Sequence, residues 1–198
     1  MFLNKGQLKI FIITAIYLFL SFIIFSNRKN YEFIMYIGVI IFVLIVILVT
    51  NKKINYPNFV LWGMSVWGLL HMAGGGFILK NGRVLYSLIL IPLSEEYGIF
   101  RFDQFVHIVG FGVATLLMYF IIKPHLSKDA YKKVSFAIVI IMAGFGVGAL
   151  NEIIEFTATV LVPETGVGGY VNTSLDLVSD LLGAIIAYLI IFLRKGKI

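Results

Sequence analysis

Residues 31–50 read YEFIMYIGVIIFVLIVILVT, with no charged residue between Phe33 and Thr50. A helix needs about 20 mostly apolar residues to cross the hydrocarbon core of a bilayer, so this stretch predicts a transmembrane helix. Other apolar runs along the chain predict an all-α, polytopic transmembrane bundle of about six spans, forming one domain over residues 1–198. The predicted spans lie near residues 8–26, 31–50, 57–79, 103–122, 133–155 and 175–193.

The composition supports a membrane protein and excludes several other classes. Of the 198 residues, 60% are hydrophobic, and the mean hydropathy is +0.99. The absence of cysteine excludes disulfides, thiolate metal sites and cysteine nucleophiles. The net charge of +6 does not indicate a nucleic-acid partner, because most basic residues lie in short loops beside apolar spans. We expect membrane lipids as partners and a multi-pass location in the cell membrane.

The basic residues also predict the orientation, because Lys and Arg are enriched in cytoplasmic loops. With the N-terminus inside, the outer segments contain five of the 16 basic residues. The remaining eleven are Lys5, Lys9, Lys52, Lys53, Lys123, Lys128, Lys132, Lys133, Arg194, Lys195 and Lys197. We therefore expect both termini in the cytoplasm.

Two segments leave alternatives open. Residues 84–93 are apolar but too short to span, which favours a re-entrant segment, a surface hairpin or an interfacial helix. The apolar pattern of the fifth span continues from Phe156 to Pro163. That helix is therefore either tilted or bent near Gly144, Gly146 and Gly148. The first two spans indicate little beyond lipid contact and packing.

Four predicted spans contain ionisable residues near their extracytoplasmic ends. Where a span has two of them, they are three or four residues apart, so they share a helix face. A charge inside the membrane costs at least about 2.5–3.5 kcal/mol and marks a functional site by default. The seven residues are His71, Asp103, His107, Glu152, Glu155, Asp176 and Asp180.

Five carboxylates and two imidazoles at similar depth predict a metal site, because neighbouring unpaired anions repel one another. Oxygen ligands with one or two histidines suit hard or borderline divalent ions such as Mg, Mn, Fe or Zn. We predict Glu152 or Glu155 as a general base, since burial raises a carboxyl pKa. The metal ligands would then be His71, Asp103, His107, Asp176 and Asp180.

This pattern favours a membrane-embedded, metal-dependent enzyme that acts on a lipid or lipid-linked envelope molecule at the extracytoplasmic side. An ion- or proton-coupled carrier is an alternative, because intramembrane carboxylates also form proton relays. A structural or accessory protein with a buried polar network is another. Gly110 and Gly183 follow the ionisable pairs by one turn, which predicts close helix packing. Residues 172–174, Asn-Thr-Ser, resemble an N-cap, although Asn172 could also reach the site.

Several of these motifs, taken in order, resemble one family. They are His71-Met72-Ala73-Gly74-Gly75, Tyr86, Pro92-Leu93, Arg101 to Phe111 (RFDQFVHIVGF), Asn151 to Phe156 (NEIIEF) and Asp176 to Ala184 (DLVSDLLGA). The chain is similar to the DUF2238 (inner membrane YjdF-like) membrane proteins, and the last two motifs also resemble the wider VanZ-like group. The resemblance implies a membrane fold and this set of polar positions, without implying an activity. It is interrupted by Gly166 to Tyr170, where family members have a stretch containing Gln and Trp.

Overall fold

The fold was analysed in a computed structural model that describes residues 3–94 and 96–196. Six α-helices account for most of these residues, and a short antiparallel hairpin precedes the fourth helix. The helices are α1 (Lys5–Asn27), α2 (Tyr31–Ile54), α3 (Asn58–Gly76), α4 (Phe102–Ile122), α5 (Val134–Leu161) and α6 (Tyr170–Leu193). The prediction of a mostly helical chain is confirmed.

Within the described chain, five helices are long and apolar enough to cross a membrane, and α3 is not among them. α3 has 19 residues, and it includes the polar side chains of Asn58, Ser65 and His71. It ends at Gly76, because the chain turns into an extended conformation at Phe77. α3 therefore ends slightly before the predicted position near residue 79, and the number of spans stays a prediction.

α5 is longer than predicted. It continues for 28 residues to Leu161, so the predicted end at residue 155 is wrong. The apolar residues after Phe156 continue the helix, which stops shortly before Pro163 because the residue preceding a proline avoids the α conformation. The glycines at 144, 146 and 148 all lie inside this one helix.

The contacts within the chain form two compact units. The first unit consists of Met1–Asp103 and Glu155–Val167, and the second consists of Gln104–Ile154 and Gly168–Ile198. Both α4 and α5 therefore contribute residues to each unit. A single domain over residues 1–198 stays a prediction.

In the first unit, α1 packs against α2 and α3, and buried amides join its helix ends. The side chain of Gln7 donates to the Tyr56 carbonyl at 2.8 Å and accepts from Asn51 at 3.0 Å. Deeper in the unit, the hydroxyls of Thr14 and Ser65 are 2.7 Å apart. Because buried polar groups are costly unless they are hydrogen-bonded, these hydrogen bonds fix the position of α1 against α2 and α3.

The apolar segment before α4 is a surface hairpin, which was one of the three predicted alternatives. Strand β1 (Ile89–Ser94) pairs antiparallel with strand β2 (Ile99–Arg101). A bridge between Ile78 and Val84 precedes the hairpin. The amide of Phe102, the first residue of α4, donates to the carbonyl of Leu88, the residue just before β1, at 2.8 Å. The start of α4 is therefore joined to the start of the hairpin.

In the second unit, glycines allow the backbones of α4 and α6 to approach closely. A Cβ atom added to Gly183 would lie 2.9 Å from the Gly112 nitrogen and 3.1 Å from the Ile108 carbonyl carbon. α5 also lies close to α6, because a Cβ at Gly148 would overlap the Asp180 side chain. Small residues at such crossings are typical of membrane helices. They place residues from all three helices close together.

Candidate metal centre

The second unit brings together four of the seven predicted site residues. α4 contributes His107, α5 contributes Glu152, and α6 contributes Asp176 and Asp180 one turn apart. All four are buried, and the two aspartates have no exposed surface. Ionisable side chains are almost never fully buried unless they are paired, so this cluster is the candidate site of the second unit.

His107 lies at the centre of this cluster. Its Nδ1 atom is 2.8 Å from Oδ1 of Asp180 and 3.8 Å from Oε1 of Glu152. A carboxylate oxygen can only accept a hydrogen bond, so Nδ1 carries the hydrogen when Asp180 is ionised. The neutral ring then has its lone pair on Nε2, which is the usual arrangement of a metal-binding histidine oriented by a carboxylate.

Asp176 is the second oxygen donor close to this ring. A ring nitrogen of His107 and a carboxylate oxygen of Asp176 are no more than 4.8 Å apart. Oδ2 of Asp176 accepts a hydrogen bond from the side-chain amide of Asn172. Asn172 therefore orients the Asp176 carboxylate from one helical turn away.

The predicted N-cap of α6 at residues 172–174 is wrong. The N-cap is Gly169, which has an extended conformation, and the helix begins at Tyr170. Asn172 consequently lies inside the first turn, where its side chain reaches Asp176 on the same face. Asn172 therefore contacts one predicted site residue, Asp176, and its part in a site stays a prediction.

The other three predicted residues, His71, Asp103 and Glu155, belong to the first unit. Asp103 precedes His107 by four residues on α4, and Glu155 follows Glu152 by three on α5. Helix geometry alone therefore places Asp103 on the same face of α4 as His107, and Glu155 on the same face of α5 as Glu152. That all seven residues share one pocket stays a prediction.

His71 is surrounded by aromatic rings in the first unit. Its ring centroid lies 5.3–5.8 Å from those of Phe33, Tyr36, Trp67 and Tyr86. Its Nδ1 atom is 2.5 Å from the Tyr86 hydroxyl, which is also 3.0 Å from the His71 carbonyl oxygen. Gly74 makes room for the Tyr86 ring, because a Cβ there would overlap it.

Tyr86 is a residue to which the pattern of charged spans gave no role. Burial is the largest cause that raises its pKa well above the ordinary 10.0, and the charges of Asp103 and Glu155 raise it further. These two carboxylates therefore act on Tyr86 within the first unit. Because Tyr86 lies in the loop before the hairpin, the spacing of ionisable residues along the spans could not reveal its contact with His71.

Glu32 was also missed, because α2 was assigned only lipid contact and packing. It is 6% exposed, and its Oε2 accepts a hydrogen bond from the Gly166 amide at 2.6 Å. The only carboxylate in an otherwise apolar span was the signal that could have identified it. Within the first unit, Glu32 thus joins α2 to Gly166, which lies after the end of α5.

The comparison with known families agrees with the resemblance to DUF2238. The model of the family described as "Predicted membrane protein (DUF2238)" matches residues 8–197. The chain belongs to the DUF2238 family. No curated protein and no solved structure matches it. Membership of DUF2238 supports an integral membrane protein, and the match covers most of both units and every residue of the candidate site.

We expect Tyr86→Phe to change how the stability of this DUF2238 protein depends on pH. Because the pKa of Tyr86 is higher in the folded than in the unfolded chain, the folded state keeps its proton while the unfolded state loses it. The free energy of unfolding should therefore fall as the pH rises above about 10. Thermal unfolding of detergent-solubilised protein between pH 8 and 11 should show a shallower decline for Tyr86→Phe. The exposed Tyr97→Phe is the control, and equal declines in all three proteins would contradict the assignment.

Proposed function

We propose that this protein is a membrane-embedded, metal-dependent enzyme that acts on a lipid or lipid-linked envelope molecule at the extracytoplasmic side. The observation that carries the proposal is the buried His107 ring, which is hydrogen-bonded to Asp180 at 2.8 Å and close to carboxylates from two other helices. Three helices thus converge on one imidazole. A hard or borderline divalent ion such as Mg²⁺, Mn²⁺, Fe²⁺ or Zn²⁺ matches this donor set.

Each residue has a distinct role in the proposed site. His107 would bind the ion through Nε2, and Asp180 would hold the ring in that orientation. Asp176 would supply an oxygen ligand fixed by Asn172, and Asp103 would add another through its one-turn spacing from His107. A bound divalent ion supplies Lewis-acid polarisation of a phosphoryl or acyl group, or activation of water.

Glu152 is the proposed general base. It is 8% exposed, and its Oε1 lies 3.8 Å from His107 Nδ1, beyond ordinary hydrogen-bonding distance. Glu152 therefore lies beside the proposed metal-binding imidazole, while Asp180 accepts the hydrogen bond from Nδ1. Glu155, one turn further along α5, is the second candidate for this role.

The proposed location is the cell membrane, with six spans and both termini in the cytoplasm. The distribution of basic residues supports this orientation. The motifs around Glu152 and Asp180 support a distant VanZ-like relationship, which we also propose. A lipid substrate fits a polar cluster carried by membrane-spanning helices.

We expect cysteine labelling to report this orientation, and the background is clean because the chain has no cysteine. Glu164→Cys and Ser127→Cys change two exposed loop residues. A membrane-impermeant maleimide added to intact cells should label the cysteine at 164 and leave the one at 127 unlabelled until the cells are lysed. The reverse pattern would place the site on the cytoplasmic side.

The enzyme proposal is tested with purified protein in nanodiscs made from an envelope lipid extract. Products are measured by mass spectrometry after addition of Mg²⁺, Mn²⁺ or Zn²⁺, and after chelation. Product formation that requires a metal and is lost in Glu152→Gln, but not in the exposed Glu164→Gln, would support the proposal. Metal binding without any product would contradict the enzyme and favour a structural ion site. Neither binding nor product would favour the purely structural network.

A further inference from the structure

A groove in the first unit lies between the last turns of α1 and α3, and it has no part in the proposed reaction. Its volume is about 390 Å³, within the range of roughly 300–1,000 Å³ that is typical of ligand pockets. Most of its lining is apolar, with side chains such as Phe25, Leu69 and Met72. Its residues belong to the first unit alone.

Arg28 stands at the rim of this groove, directly after the end of α1. Its Nη1 donates to the Gly76 carbonyl at 2.6 Å, and the side chain is exposed. A guanidinium has five N–H donors in a planar fork, so this one bond orients the group and leaves further donors available. Such a fork matches the geometry of a phosphate better than a lysine does.

The position of Arg28 along the chain places it at a membrane interface. α1 has 23 residues, which corresponds to a length of about 35 Å, enough to cross the hydrocarbon core. Arg28 and the exposed Lys29 therefore follow the helix where lipid phosphates lie. No acidic side chain is present among the described residues that line the groove, so its rim carries positive charge only.

We propose that this groove binds one anionic phospholipid, with an acyl chain against the apolar side chains and the phosphate on Arg28. An apolar groove alone would accept any lipid chain, and an exposed arginine alone would accept any anion. The apolar groove and the arginine at its rim together favour a molecule that has both an acyl chain and an adjacent anionic headgroup. A lipid with a net negative headgroup complements Arg28 and Lys29 better than a zwitterionic one.

Native mass spectrometry of the purified protein tests the proposal, with phosphatidylglycerol and phosphatidylcholine of identical acyl chains as probes. We expect the first phosphatidylglycerol to bind more tightly than phosphatidylcholine. Arg28→Gln should reduce this affinity about fivefold, as expected for one basic side chain at a membrane surface. Arg83→Gln, which changes an exposed arginine outside the groove, should have no effect.

A second variant tests the apolar part. Ala73→Leu fills the groove without changing its charge, and it should weaken binding of the same lipid. Equal affinity for the two lipids in the unchanged protein would overturn the proposal. Inorganic phosphate that displaces the lipid at equal concentration would also overturn it, because the site would then recognise an anion alone. A dimer that forms in place of lipid binding and is lost in Ala73→Leu would assign the groove to a second copy of this chain.

Discussion

Replacing His107 with alanine should remove most of the protein's affinity for divalent metal ions. Among the described residues of the second unit, His107 is the one histidine that is hydrogen-bonded to a fully buried carboxylate, that of Asp180. The matched control is His125→Ala, which changes the exposed histidine in the loop between α4 and α5. Isothermal titration with Mn²⁺ or Zn²⁺ should show near-complete loss for His107→Ala and no change for His125→Ala.

Asp180→Asn separates the orienting role of Asp180 from that of a direct ligand. The amide keeps the size of the side chain but removes the charge that holds Nδ1–H of His107. Loss of such an orienting carboxylate typically costs 10–100-fold in metal affinity. We expect a decrease of about that size. Unchanged affinity in both Asp180→Asn and His107→Ala, with the proteins folded, would show that the cluster is a structural network.

Gly183→Leu should strongly destabilise the second unit. The first carbon of any side chain at this position would lie 2.9 Å from the Gly112 nitrogen and closer still to the Ile108 carbonyl oxygen. Because these are backbone atoms of α4, they cannot rotate away, and α4 and α6 would have to separate. Overpacking typically costs about 1–3 kcal/mol, and we expect the upper end of this range.

Gly146→Leu provides the control on the same unit. A Cβ at Gly146 meets nothing within 4 Å, and both substitutions replace a helical glycine with a better helix former. The midpoint of thermal aggregation in detergent should fall by many degrees for Gly183→Leu and stay near the original value for Gly146→Leu. Equal midpoints would mean that α4 and α6 do not depend on this close approach.

The helices could largely be predicted from the sequence, because long apolar runs leave few alternatives in a membrane. Their ends were less predictable. α5 ends near Pro163 rather than at Glu155, since apolar residues continue the helix after the charged pair. α6 starts at Tyr170 after the N-cap Gly169, and no capping side chain marks this start in the sequence.

The site was predictable to the extent that it depends on positions along single helices. The spacing of Asp176 and Asp180 correctly indicated one face of α6. It could not indicate which of them meets His107 Nδ1, because that depends on how α6 is rotated against α4. The partners of His71 and Glu32 come from a loop and a glycine-rich segment, and these contacts have no signature in the spacing of charged residues.

X-ray absorption at the metal edge of protein loaded with one equivalent of Zn²⁺ or Mn²⁺ tests the central claim most directly. We predict nitrogen and oxygen ligands at about 2.0–2.2 Å, with the multiple scattering of one imidazole, in the unchanged protein and in His125→Ala. His107→Ala should lose the imidazole signal. An ion surrounded by water alone, or an imidazole signal that persists in His107→Ala, would contradict a metal centre at His107.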